Sequence, residues 1–420
     1  MLDVSVIIPV CNVEKYLAEC LDSVLSQENV NMEIICVNDG SSDDSLDILR
    51  KYESLDHRLI VIDKVNTGYG DSMNCGLKKA QGKYIAILES DDVMVSGILY
   101  KMLSVAEKSQ ADLVKGNYCV FSNEVKVCEL FENLIGLPYE QVICAKENKE
   151  LFLVAPSIWS SLYRRSFLLD NKIAFLPTAG AAYQDTSFAF KTFALASRIV
   201  LLQTPVIFYR QDRNGSSSNT SKKVFEIFKE TNEMERFVSD NRLDELWNVL
   251  MVAEFRAYKW NLDRLNVIDK QRFLMKMHCE YRRNLFLGHV NRELWRDYDW
   301  IILNNILFNP LGYKKAILKS VEPRFQNEAI YELMSGIKTY ILSGSREGEV
   351  MLAEIWEYGA DIEGYINNPY IFKMPSVSKC VIEPGEIDKN SIILISQKEP
   401  ELDKLETYLI SKKIDCYVVI

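Results

Sequence analysis

Residues 84–92, YIAILESDD, place an apolar run directly ahead of an acidic cluster. A continuous apolar run is typical of a strand that is buried on both faces of a sheet. Alternation along this strand would bring the carboxylates of Glu89 and Asp91 to the same side. Carboxylate oxygens suit a hard divalent cation and, through it, a diphosphate. The alternative is a solvated acidic turn that contains a serine or aspartate helix cap.

Strand and helix patterns alternate on the N-terminal side of this cluster. In chain order the patterns are strand 4–10, helix 13–27, strand 32–39, a helix capped at 41–43 and running to about Tyr52, strand 59–64, helix 69–80 and strand 84–90. Such alternation predicts an α/β fold with a doubly wound sheet. Ligands bind such sheets at the carboxyl ends of the strands, where Asp39 and the acidic cluster lie.

The 420 residues predict two or three domains, because domains of 100–200 residues are common. Patterning places the boundaries at 1–218, 219–334 and 335–420: an α/β catalytic domain, a helical region and a small Rossmann-like α/β module. The chain is 48% hydrophobic and 26% charged, as expected for a globular protein. Its net charge of −10 argues against a general nucleic-acid binder.

The sequence also indicates a compartment. The N-terminus, MLDVSVIIPV, begins with a strand pattern and shows no basic leader or cleavage site. No apolar run reaches the roughly 18 residues that a membrane span needs. The ten cysteines show no metal-ligand spacing and indicate buried thiols in a reducing compartment. We therefore expect a cytoplasmic protein.

Two loops are candidates for nucleotide binding. The turn after the first strand lacks GxGxxG, and GxxxxGK[ST] is absent from the sequence, so a nucleotide would be held in another way. Asp39 could accept hydrogen bonds from a base or ribose, or it could belong to an ordinary DGS turn. The glycines of NTGYGDSMNCG, which include Gly68, allow close approach to a ligand, although an ordinary loop and helix start would look the same.

Beyond the acidic cluster, the sequence offers a candidate general base and a candidate phosphate-binding arginine. Asp185 lies in YQDTSF among apolar and aromatic residues, where burial would raise its pKa and suit it for proton abstraction. Its alternative is a helix N-cap. In FYRQDRNGSSS, Arg210 or Arg213 could bind a phosphate, and the Gly/Ser stretch could close over it as a lid. The alternative is a solvated basic loop.

Taken together, these motifs resemble the family-two glycosyltransferases, an inverting class with the A-type nucleotide-sugar fold. The resemblance covers about residues 3–218 and rests on VSVIIPVCNVEKYL, VNDGSSDDS, NTGYGDSMNCGLKKAQGKYI, ESDD and YQDTSF, in that order. The chain is similar to bacterial enzymes that assemble capsule, O-antigen and related surface polysaccharides.

The resemblance implies roles for particular residues. Asp185 would be the general base. Asp91 would be the main ligand of Mn²⁺ or Mg²⁺, with Glu89 or Asp92 assisting. The nucleotide-sugar would contact Pro9, Val10, Asn12, Glu14 and Asp39. Apart from the resemblance, Gly68, Asn74, Ser90 and Arg210 are further candidate contacts.

The sequence departs from the family pattern at four positions. Cys11 stands where an aromatic residue often stacks on the base, and Glu89 replaces an aspartate. Gln184 replaces the glutamate beside the general base. Met73 stands where an arginine is usual. The carboxylates of the core motifs are retained, so we expect an active enzyme.

The implied reaction is a metal-dependent, inverting transfer of a sugar, with a UDP-sugar as the expected donor. The acceptor would be a hydroxyl of a saccharide or of a polyprenyl-linked glycan. Two other functions stay open. One is a catalytically inactive partner subunit, and the other is a sugar-phosphate nucleotidyltransferase, which would usually carry a Gly-rich basic turn after the first strand.

The remaining regions give weaker signals. Residues 270–320 contain ten Lys/Arg and four Asp/Glu with interleaved aromatics, which predicts peripheral contact with the inner face of the membrane or a plain helical bundle. The stretch after Tyr340 is similar to a small Rossmann-like module found beside sugar-modifying enzymes. Its turn keeps Gly348 but has Ser343 and Ser345 in place of glycines, with Asn367 near the usual acid. A structural or docking role and a sugar-nucleotide site both stay open.

Overall fold

A computed structural model of the chain describes residues 2–122, 127–211, 221–262 and 264–308, four short strands beyond them and single positions 404 and 411. The chain divides into two compact units, 1–253 and 254–420. The predicted boundaries at 218 and 334 stay a prediction.

A mixed sheet forms the centre of the first unit. Its described strands run in the order β3-β2-β1-β4-β9-β6-β10-β5, with β7 beside β6 and β8 beside β10. The strands are β1 (Val4–Val10), β2 (Met32–Asp39), β3 (Leu59–Lys64), β4 (Tyr84–Ile87), β5 (Val93–Met94), β6 (Leu113–Ser122), β7 (Val127–Phe131), β8 (Val142–Ile143), β9 (Ser161–Arg164) and β10 (Ile199–Arg210). The first four strands pair in parallel, as the alternating pattern predicts.

Helices connect and cover these strands. They are α1 (Glu14–Leu25), α2 (Ser45–Leu55), α3 (Tyr69–Lys79), α4 (Ile98–Ser109), α5 (Arg165–Asp170), α6 (Gln184–Leu195), α7 (Ile227–Asp240), α8 (Trp247–Leu262), α9 (Val267–Phe286) and α10 (Asp297–Phe308). Short 3₁₀ segments lie at Lys149–Leu153, Ile158–Ser160, Ser221–Glu226 and Asp244–Leu246. None of the described helices combines the length and apolar character that crossing a bilayer requires.

Two local predictions need correction. The helix predicted to be capped at 41–43 begins at Ser45, with Asp44 at its N-cap, and the carboxylate of Asp43 accepts from the N–H of Ser45 and also from that of Glu14 in the turn after β1. The strand predicted for 84–90 ends at Ile87. The acidic cluster therefore lies in an irregular segment, and strand alternation does not orient Glu89 and Asp91.

The packing around β1 determines where polar groups can lie. All seven β1 residues are buried between β2 and β4, whose own residues are buried as well. Gly76 of α3 lies so close to β1 that an added Cβ would meet Ile7 Cγ2 at 2.5 Å. Because these strands are parallel, the turns that follow them gather at one edge of the sheet.

The second unit contains a helical part and a small sheet. Phe255, Tyr281 and Trp295 pack edge to face in its core, and Trp295 is buried. Four parallel strands run in the order β12-β11-β13-β14: β11 (Thr339–Leu342), β12 (Ile362–Ile366), β13 (Ile392–Ile395) and β14 (Tyr417–Val419). The Rossmann-like module stays a prediction, since Ser343, Ser345, Gly348 and Asn367 lie outside the described residues.

A fully buried lysine anchors β6. The Nζ atom of Lys115 donates to the carbonyl and hydroxyl of Ser157, at 2.7 and 2.8 Å, and to the hydroxyl of Ser160, at 2.9 Å. These acceptors are neutral, so burial lowers the pKa of Lys115 to about 7. The lysine thereby ties the 3₁₀ segment Ile158–Ser160 to the sheet.

This burial predicts a pH dependence of stability. Between pH about 7 and the ordinary lysine pKa of about 10.4, the unfolded chain binds a proton that the folded chain does not. The free energy of unfolding should therefore rise with pH, by up to about 1.4 kcal/mol per pH unit from this group. Lys115→Met should remove that part of the slope. Urea unfolding at pH 7, 8 and 9 tests this, and identical slopes for wild type and variant would contradict it.

Candidate active site

The turns after β1 and β2 are bonded to each other. Asn12, in the left-handed region at φ 53°, donates its N–H to Ser41 Oγ, and its Oδ1 accepts from the N–H of Ser42. Glu14 Oε2 accepts from the N–H of Asp44 at 3.0 Å. Pro9 and Val10 lie buried in β1. The predicted nucleotide-binding segment is therefore a fixed turn, and its contacts with a nucleotide stay a prediction.

Asp39 holds the loop ahead of α3. Its buried carboxylate accepts from Lys64 Nζ at 2.5 Å and from the N–H groups of Thr67 and Gly68 at 2.9 and 3.0 Å. Lys64 also forms an ion pair with Asp71 at 3.2 Å. A base or ribose would thus meet a carboxylate whose two oxygens already accept three hydrogen bonds. The predicted nucleotide contact of Asp39 stays a prediction.

The first half of α3 runs along the segment 175–180. Tyr69 donates its N–H to the carbonyl of Gly180 at 3.0 Å. The side-chain amide of Asn74 exchanges two 2.9 Å hydrogen bonds with the backbone of Phe175. The amide of Asn74 thus holds Phe175, while Met73 is completely buried. Met73 therefore gives a phosphate no cation where the family usually has an arginine.

The acidic cluster bonds to the rest of the site. Glu89 Oε1 accepts from the Tyr69 hydroxyl at 2.6 Å, and Asp92 Oδ1 accepts from the N–H of Arg210 at 2.9 Å. Ser90 and Asp92 are buried, whereas Glu89 and Asp91 are half-buried. The cluster is thus oriented by bonds to α3 and β10, which periodicity within the segment cannot reveal.

Arg210, at the end of β10, braces this cluster. Its Nε donates to the carbonyl of Asp91 at 2.9 Å, and its Nη2 pairs with Glu19 at 2.5 Å. The guanidinium also lies over the rings of Tyr16 and Phe121, 4.8 and 4.5 Å from their centroids. Phosphate binding by Arg210 stays a prediction, and Arg213 lies outside the described residues.

The donor set of the cluster fits a hard cation. Burial and the nearby charges of Asp91 and Glu89 raise the pKa of Asp92 well above its usual range, although the Arg210 N–H opposes this. Its Oδ2 is buried without a hydrogen-bond partner among the described residues. A cation would relieve this repulsion. However, the described part of the chain contains no group of three or more His, Cys, Asp or Glu side chains that could hold a metal ion.

Glu89, Asp91 and Asp92 therefore do not form a cage of three carboxylates in the described part of the chain. Mg²⁺ is commonly held by one or two carboxylates, with waters and substrate phosphates completing its shell. Asp91 as its anchor stays a prediction that this arrangement fits.

Asp185 lies in the first turn of α6. The helix begins after Tyr183, which adopts the left-handed conformation at φ 63°, so Asp185 is inside the helix and is not its N-cap. The residue is half-buried, and burial raises the pKa of its carboxyl to about 6, against hydrogen bonds from Thr186 that lower it. Such a carboxylate is ionised at neutral pH and more basic than an exposed aspartate.

A second carboxylate with a raised pKa, that of Glu230, was not predicted from the sequence. Glu230 of α7 packs toward α6, and neither of its carboxylate oxygens has a hydrogen bond within normal distance in the described part of the chain. Burial raises its pKa to about 7. The Asp185 charge adds to this, while Ser187 and Lys191 oppose it. The available signal was an acid on the apolar stripe of α7 that contains Ile227 and Met234.

Tyr69 interacts electrostatically with both the acidic cluster and Asp185. Its hydroxyl bonds Glu89, and burial together with the charges of Glu89 and Asp185 raises the pKa of Tyr69 well above its ordinary value. The structure thus brings Asp185, Tyr69, Glu89 and the segment held by Arg210 into one charged neighbourhood.

The comparison with protein families decides the class of this domain. Residues 5–183 match the model of glycosyl transferase family 2. Residues 5–183 are a glycosyltransferase family 2 domain. The prediction of a family-two glycosyltransferase domain is confirmed. The match ends before Gln184, so it leaves the role of Asp185 open.

Relatives of the glycosyltransferase domain come from several bacteria. EpsH of Bacillus subtilis is 34% identical over 228 residues, which are 53% of this chain and 65% of EpsH. The glycosyltransferase GlyG of Streptococcus pneumoniae is 29% identical over 310 residues, which are 69% of this chain and 98% of GlyG. The chain thus covers less than two thirds of the length of EpsH.

A solved structure supports the fold. The crystal structure of Staphylococcus aureus TarS is 18% identical, with a TM-score of 0.57 over 76% of this chain and 55% of that chain. TarS is named a poly(ribitol-phosphate) beta-N-acetylglucosaminyltransferase, and its sequence matches 63% of this chain and 46% of its own length at 25% identity. The predicted A-type fold followed by helices is confirmed.

Because Arg210 braces the acidic cluster, we expect its replacement by lysine to destabilise the fold although the charge is kept. Arg210→Lys keeps the charge but loses the planar fork that bonds Asp91 and Glu19 and stacks on two rings. We expect a loss of about 1–3 kcal/mol in the free energy of unfolding. The control is Arg50→Lys, in the exposed pair with Glu53, which should change stability by less than about 0.5 kcal/mol. Equal effects in urea unfolding would contradict the bracing role.

Proposed function

We propose that this chain transfers a sugar from a UDP-sugar to a hydroxyl of a saccharide or polyprenyl-linked acceptor in surface polysaccharide synthesis, with inversion and with a divalent metal. The observation that carries the proposal is the family 2 domain, followed directly by a carboxylate whose pKa is about 6. The name of TarS, a β-transferase acting on a polymer, supports a polymeric acceptor, and a β-linkage agrees with inversion of an α-linked donor.

In this mechanism Asp185 is the general base. The ionised carboxylate removes the proton of the acceptor hydroxyl as that oxygen attacks the anomeric carbon. The bond from that carbon to the diphosphate breaks in the same step, so an α-linked donor yields a β-linked product. The turns at 9–14 and 64–74 would orient the nucleotide, and their fixed hydrogen bonds suit this task.

Asp91, assisted by Glu89 or Asp92, would hold Mn²⁺ or Mg²⁺. The ion would neutralise the charge that develops on the departing nucleoside diphosphate. The protein keeps these carboxylates in place through Tyr69 and Arg210, whose bonds to the acidic cluster do not need the ion.

A catalytically inactive partner subunit is the competing proposal, because Met73, Glu89 and Gln184 depart from the family pattern. The two differ in one observable, the release of UDP from a UDP-sugar by the purified chain. Turnover that depends on Asp185 would exclude the inactive subunit.

Asp185→Asn should lower turnover about 10²–10⁴-fold, because a positioned base contributes that much. UDP affinity should stay within about threefold. In wild type, turnover should fall about tenfold per pH unit below pH about 6, where Asp185 takes up a proton. UDP release from pH 4.5 to 8 and calorimetric UDP titrations measure both. Near-normal turnover of the variant would exclude Asp185 as the base.

Removal of divalent ions should abolish turnover, and Mn²⁺ or Mg²⁺ should restore it. Asp91→Ala should weaken UDP binding in the presence of Mn²⁺ but leave binding in EDTA unchanged, because only the metal-bridged contact is lost. Asp47→Ala, at an exposed position on α2, is the matched control and should behave as wild type. Full turnover in a chelated sample would rule out the metal.

We also propose peripheral contact between the region 270–320 and the inner face of the cytoplasmic membrane. Tyr298 and Ile301 lie exposed on α10, Arg292 and Arg296 lie exposed just before it, and Arg272 is exposed on α9. Trp295, in contrast, is buried and contributes to the core. Tyr313 lies outside the described residues.

Vesicle binding tests this contact. Anionic vesicles should co-sediment the protein at low salt, since each basic residue near the surface contributes about 1 kcal/mol. Binding should fall as salt shortens the Debye length to about 8–10 Å near physiological ionic strength. Neutral vesicles serve as the control. Absence of the protein from both pellets at low salt would leave these helices as plain structure.

A further inference from the structure

Gln184, the residue that departs from the family pattern beside Asp185, makes three internal hydrogen bonds. It is 2% exposed. Its Nε2 donates to Thr178 Oγ1 at 2.8 Å and to the carbonyl of Gly180 at 3.2 Å, and its Oε1 accepts from the N–H of Ala182 at 2.6 Å. The amide thus folds the segment 178–182 back onto the first turn of α6.

The Gly180 carbonyl makes this segment a joint between two helices. It accepts from Gln184, the first residue of α6, and also from the N–H of Tyr69, the first residue of α3, at 3.0 Å. The backbone at Gly68 lies so close to the segment 178–180 that an added Cβ on Gly68 would be 2.6 Å from the carbonyl oxygen of Thr178 and 2.7 Å from the backbone nitrogen of Gly180. A single carbonyl therefore connects both helix starts.

The helix start of α3 is in turn fixed to both sides of the site. Gly68 donates its N–H to Asp39, and the Tyr69 hydroxyl donates to Glu89. Hydrogen bonds, together with the peptide bond between Gly68 and Tyr69, therefore lead from Asp39 through Gly180 to Gln184. The next residue in the chain is Asp185.

We propose that Gln184 is a positioning residue whose amide fixes the segment 178–182, so that Asp185 keeps a set place relative to the bound nucleotide. This inference rests on the proposed function of Asp185 as the base. A side chain that positions a base affects turnover more than nucleotide affinity, because an error of about 1 Å in a reacting group can cost about 10²-fold in rate.

The same geometry explains why this chain has an amide where the family has a carboxylate. A carboxylate cannot donate to the Gly180 carbonyl, so two oxygens would face each other in a buried place. It would also put a second negative charge beside Asp185, in surroundings that already raise its pKa. The glutamine supplies both donors and one acceptor without charge.

The chain offers a matched control in Gln27. This glutamine is 3% exposed, and its amide also makes three bonds: two donated to the carbonyls of Ser23 and Val95, and one accepted from the N–H of Leu99. Gln184→Met and Gln27→Met therefore remove equal numbers of buried hydrogen bonds with little change in side-chain volume. They differ in whether the lost bonds adjoin Asp185.

The experiment measures three quantities for each variant: kcat for UDP release from the UDP-sugar that wild type uses fastest, Kd for UDP, and the urea unfolding midpoint. Gln184→Met should lower kcat about 10–100-fold, with Kd within about threefold of wild type. Gln27→Met should lower the midpoint similarly and keep kcat within about threefold. Equal kcat in the two variants, or a parallel loss of UDP affinity in Gln184→Met, would overturn the inference.

A milder change covers the case in which Gln184→Met does not fold. Thr178→Val removes one partner of the amide while keeping the side-chain shape, and kcat should fall about 3–10-fold with Kd unchanged. Unchanged kcat in a folded Thr178→Val would then overturn the inference. If Asp185→Asn abolishes turnover while the Gln184 and Thr178 variants match wild type, only this inference fails. A wild-type protein that turns over no nucleotide-sugar overturns the proposed function and this inference with it.

Discussion

The parallel pairing of β1 with β2 on one side and β4 on the other is the constraint on which the site depends. β1 is buried along its whole length, so its backbone groups can only be satisfied by these two neighbours. Once that pairing is made, the turns after all three strands meet at one edge. The polar residues of these turns cannot be buried within the sheet, because its strands are already packed together. The turns after β1 and β2 bond to each other, and the segment after β4 bonds to Tyr69 and Arg210, which produces the rigid rim around Asp39 and the acidic cluster.

Repulsion among like charges shapes the rest of this rim. Glu89, Asp91 and Asp92 follow one another closely, and Asp185 and Glu230 form a second acidic group on α6 and α7. The guanidinium of Arg210 and the hydroxyl of Tyr69 offset the negative charge of the first group. In the second group burial raises the pKa of both carboxyls, and Lys191 only partly opposes this at Glu230. A site that gathers negative charge in this way is prepared for a positively charged ligand on one side and for a proton on the other.

The sequence predicted the elements well where the pattern was local. The strands at 4–10, 32–39 and 59–64 have the expected bounds, because continuous apolar runs flanked by polar turns leave little freedom. The start of α2 and the end of β4 were wrong, because Asp43 and Glu89 take partners from distant segments. The roles of Glu230 and Gln184 were not assigned from sequence, for two different reasons. Glu230 lies on the apolar stripe of α7, but its neighbours on α6 come from a distant segment. Gln184 bonds Thr178, Gly180 and Ala182, which belong to an irregular segment without a periodic pattern.

The buried amine of Lys115 has one more consequence. An uncharged lysine is a nucleophile, but here it is enclosed by β6 and by the serines of the neighbouring segment. An amine-reactive reagent can reach it only when that part of the first unit opens. The rate at which Lys115 is acylated, compared with that of surface lysines, would therefore count local opening events beside the sheet. Mass spectrometry can measure the acylation of Lys115 over time and thereby follow the slow motions of this domain.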